Sequence, residues 1–353
     1  MRIIAAGYSG TGSSAIVHLL SEYKGVTPCI TGSYEHVLFY IPDGLFDLED
    51  RLLNNNSIHM SDGAINRFYI AMKRLNDYDF GWFGGYKNRY GSRFMEAVNK
   101  FLDSITQFEM PGYWSDDFCY YRSVQGLAKD LGKKALGKQV NQFGYKLNRK
   151  GDGIVRYSFI NAEDFYRSAQ VFVDDYIAMI SNNTEKDLVL DQILLPHNLF
   201  RMKNYFTDSK SIVFDRDPRD LYVLSKYVWP KIAGSAQLFP ITPEEFVDFY
   251  RGLKSAEKVE NDSNVMRLHF EELVYHYDET VESIERFLGI DSKRHISGKT
   301  RFVPEKSIKN TQNFLIDKAW ESEVKYIEEH LPSMIYHFPY KIATTLSDTS
   351  DPQ

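Results

Sequence analysis

The sequence predicts an α/β fold: a parallel sheet flanked by helices, carrying a largely helical insertion. Three observations predict it. Residues 2–6 are a short apolar run that breaks into a glycine- and serine-rich stretch, 7–14, and then into helical spacing over 13–23 through Ile16, Leu19 and Leu20. Short apolar runs recur at 187–190, 211–214 and 265–269, and helix signals follow them. Between these two α/β stretches, 45–137 reads as mostly helical and aromatic. Strands alternating with helices imply a parallel sheet covered on both faces. The chain therefore parses into an α/β core over 1–44 and 186–345, with an insertion over 45–185.

The remaining elements follow in order. Residues 26–30 read as a second strand and 34–40 as a short helix or turn. Helical periodicity runs through 64–75 and 94–105, while 79–90, rich in glycine and aromatics, reads as loop. Residues 142–148 and 154–160 alternate apolar and other side chains around 149–153, a hairpin signature. Asn161 starts a long amphipathic helix through Ile180, with Glu163 and Asp164 in its first turn. A helix is expected over 197–205. Pro218 opens another at a position proline tolerates, and Thr242-Pro243-Glu244-Glu245 is a capping box. Gly289 ends a helix over 280–288, and 344–353 reads as a polar, frayed end.

Bulk properties narrow the function classes. A chain of 353 residues, 43% hydrophobic, suits one large domain with insertions or two modest ones. The net charge of −6 argues against nucleic acid as a partner but leaves room for a local basic pocket. Cys29 and Cys119 form no CxxC pair, which points to a reducing, cytoplasmic setting, small buried thiols and no structural zinc. The first apolar run is too short for a signal peptide, and no window of about 18 apolar residues marks a membrane span. Phe and Tyr number 24 each, which suits either an aromatic-lined cleft or an ordinary core with amphipathic helices.

Two constellations carry chemistry. In Gly7-Tyr8-Ser9-Gly10-Thr11-Gly12-Ser13-Ser14, glycines let backbone N–H groups converge and the following helix adds its positive end. The stretch is expected to bind phosphate through Gly10, Thr11, Gly12, Ser13 and Ser14, and its GxxxxGSS spacing mimics a P-loop. Ser13 stands where a Walker loop carries lysine, which argues against an ordinary ATPase or kinase. In the second, Val213-Phe214-Asp215-Arg216-Asp217-Pro218-Arg219-Asp220, Arg216 leaves a strand end and can fork onto a phosphate.

Arg216-Asp217-Pro218-x-Asp220 resembles the 3′-phosphate motif of P-loop sulfotransferases, Arg-Asn/Asp-Pro-x-Asp-x-x-x-Ser. Here the serine, Ser225, comes one residue late, and the family register falls on Leu224. His269-Phe270-Glu271-Glu272-Leu273 and Phe287-Leu288-Gly289 are similar to the family's later segments. Residues 304–310 resemble the loop that closes over the nucleotide in bacterial, carbohydrate-type members. The resemblance covers 2–40 and about 187–320. It implies 3′-phosphoadenosine-5′-phosphosulfate (PAPS) as donor, with its 5′-phosphosulfate on Gly10 to Ser14. Arg216 with Ser225 would hold the 3′-phosphate, completed by Ser307 and Lys309.

It further implies transfer to a hydroxyl or amine of a glycan-like acceptor, with no metal. Gly10 departs from the family, which carries Lys or Arg there, so Arg219, Lys226 or a cation of the insertion must substitute, or activity is lost. In Tyr34-Glu35-His36-Val37-Leu38-Phe39-Tyr40, His36 keeps the register of the catalytic base and Glu35 is one off. Asp191 and His197 are further candidates. The alternatives are a small-molecule kinase at the same loop and a non-catalytic nucleotide-binding protein.

Overall fold

Ile3, Ile4, Ala5 and Ala6 have no exposed surface, so the first strand is buried on both faces and must be central. The computed structural model describes residues 1–29, 35–111, 154–181, 187–230, 238–258 and 262–342. Along the chain come β1 (Arg2–Gly7), α1 (Ser13–Leu20), β2 (Val26–Pro28), α2 (Ile58–Asp77), α3 (Arg93–Ile105), β3 (Phe108–Pro111), β4 (Ile154–Tyr157) and α4 (Ala162–Ile180). Then follow β5 (Asp187–Asp191), β6 (Ser209–Asp215), α5 (Pro218–Val223), α6 (Pro243–Ser255), β7 (Val265–His269), α7 (Phe270–Tyr275), α8 (Tyr277–Leu288) and α9 (Glu321–His330). Two compact units result, Met1–Thr31 with Thr184–Gln353, and Gly32–Asn183. Residues 32–44, Glu35 and His36 among them, fall in the second.

The first unit is built on a five-stranded sheet in the order β2-β5-β1-β6-β7, parallel at every pairing. One face packs Ile3, Ala5, Val189, Ile212 and Phe214 against α1, α7 and α8. Ile4, Ala6, Leu190 and Val213 are equally buried from the other side. Each Val, Leu, Ile or Phe among them contributes about 1.5–3 kcal/mol by leaving water. Several boundaries have local causes. Asp217 caps α5 by accepting from the Arg219 N–H at 2.8 Å, with Pro218 at the first position. Thr242 accepts from the Glu245 N–H at 3.3 Å, and Gly289 ends α8 at φ 74°.

The second unit pairs α3 with α4 and carries an antiparallel ribbon of β3 with β4. Asn161 caps α4 by accepting from Asp164 N–H at 2.9 Å. Arg156 on β4 is 1% exposed; its N–H donates to Asp62 Oδ1 and its Nε to Glu109 Oε1, both at 2.8 Å.

Three expectations are revised. Ile154–Tyr157 is a strand, but its partner is Phe108–Pro111; residues 142–148 lie outside the described residues, as do Tyr34, Cys119 and 344–353. Within the expected loop 79–90, Gly85 at φ 66° starts a one-turn helix, Tyr86–Tyr90. The helix expected over 197–205 opens as a 3₁₀ turn, Pro196–Arg201. Cys29 is buried, which pushes its thiol pKa up to about 12. No helix among the described residues is long and apolar enough to cross a membrane.

Candidate functional site

β1 and β6 lie side by side with Gly7 opposite Phe214, so the loop leaving β1 and the turn leaving β6 emerge at one edge of the sheet. β1 leads on toward β2 at one flank, and β6 toward β7 at the other. That divergence is the switch point where open α/β sheets leave a crevice for ligands.

Gly10 and Gly12 take φ of 81° and 91°, left-handed backbone that suits glycine. Thr11 tightens the loop: its N–H and Oγ1 both donate to the Tyr8 carbonyl, at 3.0 and 2.8 Å. α1 then begins at Ser13; the Ala15 N–H donates to the Gly12 carbonyl at 2.9 Å, and the N–H groups of Ser13 and Ser14 have no acceptor within the helix. Glycine is also required from outside. A Cβ on Gly10 would fall 2.3 Å from Trp229 Cη2, and one on Gly12 2.9 Å from Phe270 Cδ2. The indole of Trp229 thus fills the space a lysine or arginine at position 10 would need.

Arg216 is 7% exposed and reaches both neighbouring segments. Its Nη1 donates to the Gly10 carbonyl at 2.9 Å, and its Nη2 to the Asn310 carbonyl. The guanidinium carbon lies 5.3 Å from the Phe270 ring centre. Its Nε has no hydrogen-bond partner among the described residues. Two buried acids, Asp220 and Glu271, act on it through space. Burial pushes Asp220 up to about 7 and Glu271 up to about 8, toward their uncharged forms.

Both acids instead hold backbone around Arg216. Glu271 Oε1 accepts from Asp217 N–H at 2.9 Å, and Asp220 accepts from the N–H groups of Gln312 and Phe314 at 2.8 and 3.2 Å. The structure thereby brings together Gly10 to Ser14, Arg216 and the turn Ile308–Asn310. Ser307 is buried just before that turn, its Oγ without a partner among the described residues, and Lys309 in it is half-buried.

Ser225 has a different surrounding. It sits in a π-helical turn, Leu224–Val228, that continues α5, and its Oγ accepts from the N–H groups of Leu238 and Phe239, both at 3.2 Å. A π turn takes in one residue more than an α turn, matching in size the single-residue offset of this serine. The two cations offered as substitutes at Gly10 are also engaged. Arg219 is bound by Asp217 and Glu328, and Lys226 Nζ lies 2.7 Å from Glu323 and 2.8 Å from Tyr222 Oη. A cavity of about 830 Å³ adjoins Arg219, Phe314, Tyr336 and Phe338, but its lining includes neither the glycine loop nor Arg216.

At the end of β5, beside Ala5 of β1, stands Asp191. Burial pushes its carboxyl up to about 6, against the effect of a hydrogen bond from Ser13. Its Oδ1 has no partner among the described residues, while Gln192 Nε2 donates to Ser13 Oγ at 3.1 Å. His197 stacks on Tyr8 at 6.0 Å, and burial holds its imidazole below the ordinary range. In the second unit, half-buried Glu35 donates its N–H to the Trp82 carbonyl at 2.8 Å. His36 is 1% exposed, with Nδ1 2.7 Å from Tyr176 Oη.

Sequence reasoning missed the role of Trp229, for which no local pattern exists, and that of Glu271, visible only as part of a similar segment. No protein-family model matches the chain, and no curated protein matches it. Among solved structures, the sulfotransferase domain from the curacin biosynthetic pathway is similar, with 13% sequence identity, 96% of this chain and 98% of that chain covered, and a TM-score of 0.40.

Proposed function

We propose that this chain is a sulfotransferase that moves a sulfuryl group from PAPS to a hydroxyl or amine of a glycan-like acceptor. One observation carries the reading. Arg216, a buried cation, links segments distant in sequence, and its hydrogen bonds among the described residues go to backbone carbonyls of the glycine loop and of Ile308–Asn310. A buried guanidinium without a carboxylate partner suits an anion arriving from outside.

In this reading Gly10 to Ser14 and the first turn of α1 hold the 5′-phosphosulfate, and Arg216, Ser307 and Lys309 the 3′-phosphate. Ser225 is left out of the main set: its Oγ serves as acceptor for the N–H groups of Leu238 and Phe239, leaving at most its O–H to donate. Asp191 is favoured as the base over Glu35 and His36. It stands beside Ser13, with a pKa of about 6 and an open Oδ1, whereas His36 Nδ1 is committed to Tyr176. The transfer is in line: the acceptor oxygen loses its proton to the carboxylate and bonds to sulfur as the bond from sulfur to the phosphate oxygen breaks. The first-turn N–H groups of α1 stabilise the leaving phosphate.

Calorimetric titration with adenosine 3′,5′-bisphosphate tests this. The wild type is expected to bind, and Arg216→Ala to bind about 100-fold more weakly, having lost a charge-assisted fork. Equal affinity for both proteins rules the site out. The Trp229 ring over Gly10 favours a second reading, a nucleotide-binding protein without catalysis. Bisphosphate binding without sulfate transfer to any of a panel of glycans would establish it.

A further inference from the structure

Two residues after α1, the Glu22 side chain is buried, 1% exposed, and its carboxylate is saturated with donors. Oε1 accepts from the backbone N–H groups of Thr300, Arg301 and Phe302 at 2.9, 2.6 and 2.9 Å. Oε2 accepts from Lys299 N–H at 3.1 Å and lies 2.8 Å from His295 Nε2. Four consecutive N–H groups therefore wrap one carboxylate, with Lys299 in the left-handed region at φ 59°. This is an anion nest filled by the protein's own side chain. The Glu22 carbonyl adds contacts from Ile296 N–H and Ser297 Oγ, both at 3.3 Å, and the next residue, Tyr23, stacks on His295 at 4.3 Å.

The segment held this way leads straight into the site. Phe302 is buried against Tyr277, and directly beyond it come Pro304–Ser307 and Ile308–Asn310. They carry Ser307, Lys309 and the carbonyl that Arg216 meets. α1 thus has a task at each end. Its first turn adjoins the glycine loop, and the residues after its last turn fix the strap across from that loop.

We infer that Glu22 is a positioning residue for the donor: it fixes the strap 295–310 so that Ser307 and Lys309 face the 3′-phosphate. The inference rests on the donor reading above. Glu22→Ala empties the nest. It is expected to weaken adenosine 3′,5′-bisphosphate binding about tenfold and to speed amide exchange over 303–310 by a similar factor. Formate at about 0.1 M, a carboxylate small enough to enter the nest, restores both, and chloride at the same ionic strength does not.

Wild-type affinity and exchange in the folded variant, or losses that formate leaves in place, overturn the inference. If Glu22→Ala does not fold, Glu22→Gln, which keeps size and shape, takes the same binding and exchange measurements, and unchanged values in it overturn the inference equally. Wild-type protein that fails to bind the bisphosphate sinks the donor reading instead. Exchange with and without formate then still decides whether Glu22 holds the strap.

Discussion

Arg216 and Arg219 stand three residues apart, are buried to the same 7% exposure, and lead opposite lives. Arg219 is neutralised. Its Nε and Nη2 both donate to Asp217, at 3.0 and 2.8 Å, its Nη1 meets Glu328 at 3.2 Å, and the Phe314 ring lies 4.2 Å away. Arg216 makes two contacts with carbonyls and leaves Nε unpartnered among the described residues. In the reading proposed above the difference separates scaffold from site: the arginine hydrogen-bonded to carboxylates maintains the fold, and the one hydrogen-bonded to carbonyls receives the ligand.

The strongest way to break this comparison is to truncate Arg219. Asp217 would be left buried without its partner, so Arg219→Ala is expected to cost about 3–5 kcal/mol in urea unfolding. Affinity for the bisphosphate in the folded fraction should hold. If stability holds and affinity falls instead, the two arginines have been assigned the wrong way round.

Asp191 sharpens the contrast on the acidic side. Its pKa of about 6 predicts that the transfer rate rises as pH climbs through that value and the base loses its proton. Asp191→Asn should remove that limb and lower the rate about 10²–10⁴-fold. The sign for stability is the reverse. With its folded pKa raised, Asp191 contributes fully below the ordinary carboxylate range, and that contribution is lost as pH rises through about 6. Asn should therefore flatten the dependence of unfolding on pH in that window.

The smallest effect belongs to Ser225, a polar group already satisfied. Ser225→Ala leaves the N–H groups of Leu238 and Phe239 without their acceptor and should cost about 1–3 kcal/mol, read from the thermal midpoint, with bisphosphate affinity unchanged. A drop in affinity at constant stability would return this serine to the phosphate pocket.

The sheet was legible because each strand is a short apolar run bounded by glycine, proline or a cap, a signal confined to a few adjacent residues. The glycine loop and Arg216 were legible for the same reason. The π turn was not, since Leu224–Val228 reads as ordinary helix and its widening depends on what packs around it. Nor was the ring over Gly10, because Trp229 meets it only after the chain has passed through β6 and α5. No local pattern marks Glu22. Its partners lie about 280 residues further on and, His295 apart, are backbone N–H groups, which have no letter in a sequence.

The widened turn after α5 has one more consequence. A π turn absorbs its extra residue locally, so the chain keeps its course from Leu224 through Val228, and the very next residue, Trp229, lies with its ring against Gly10.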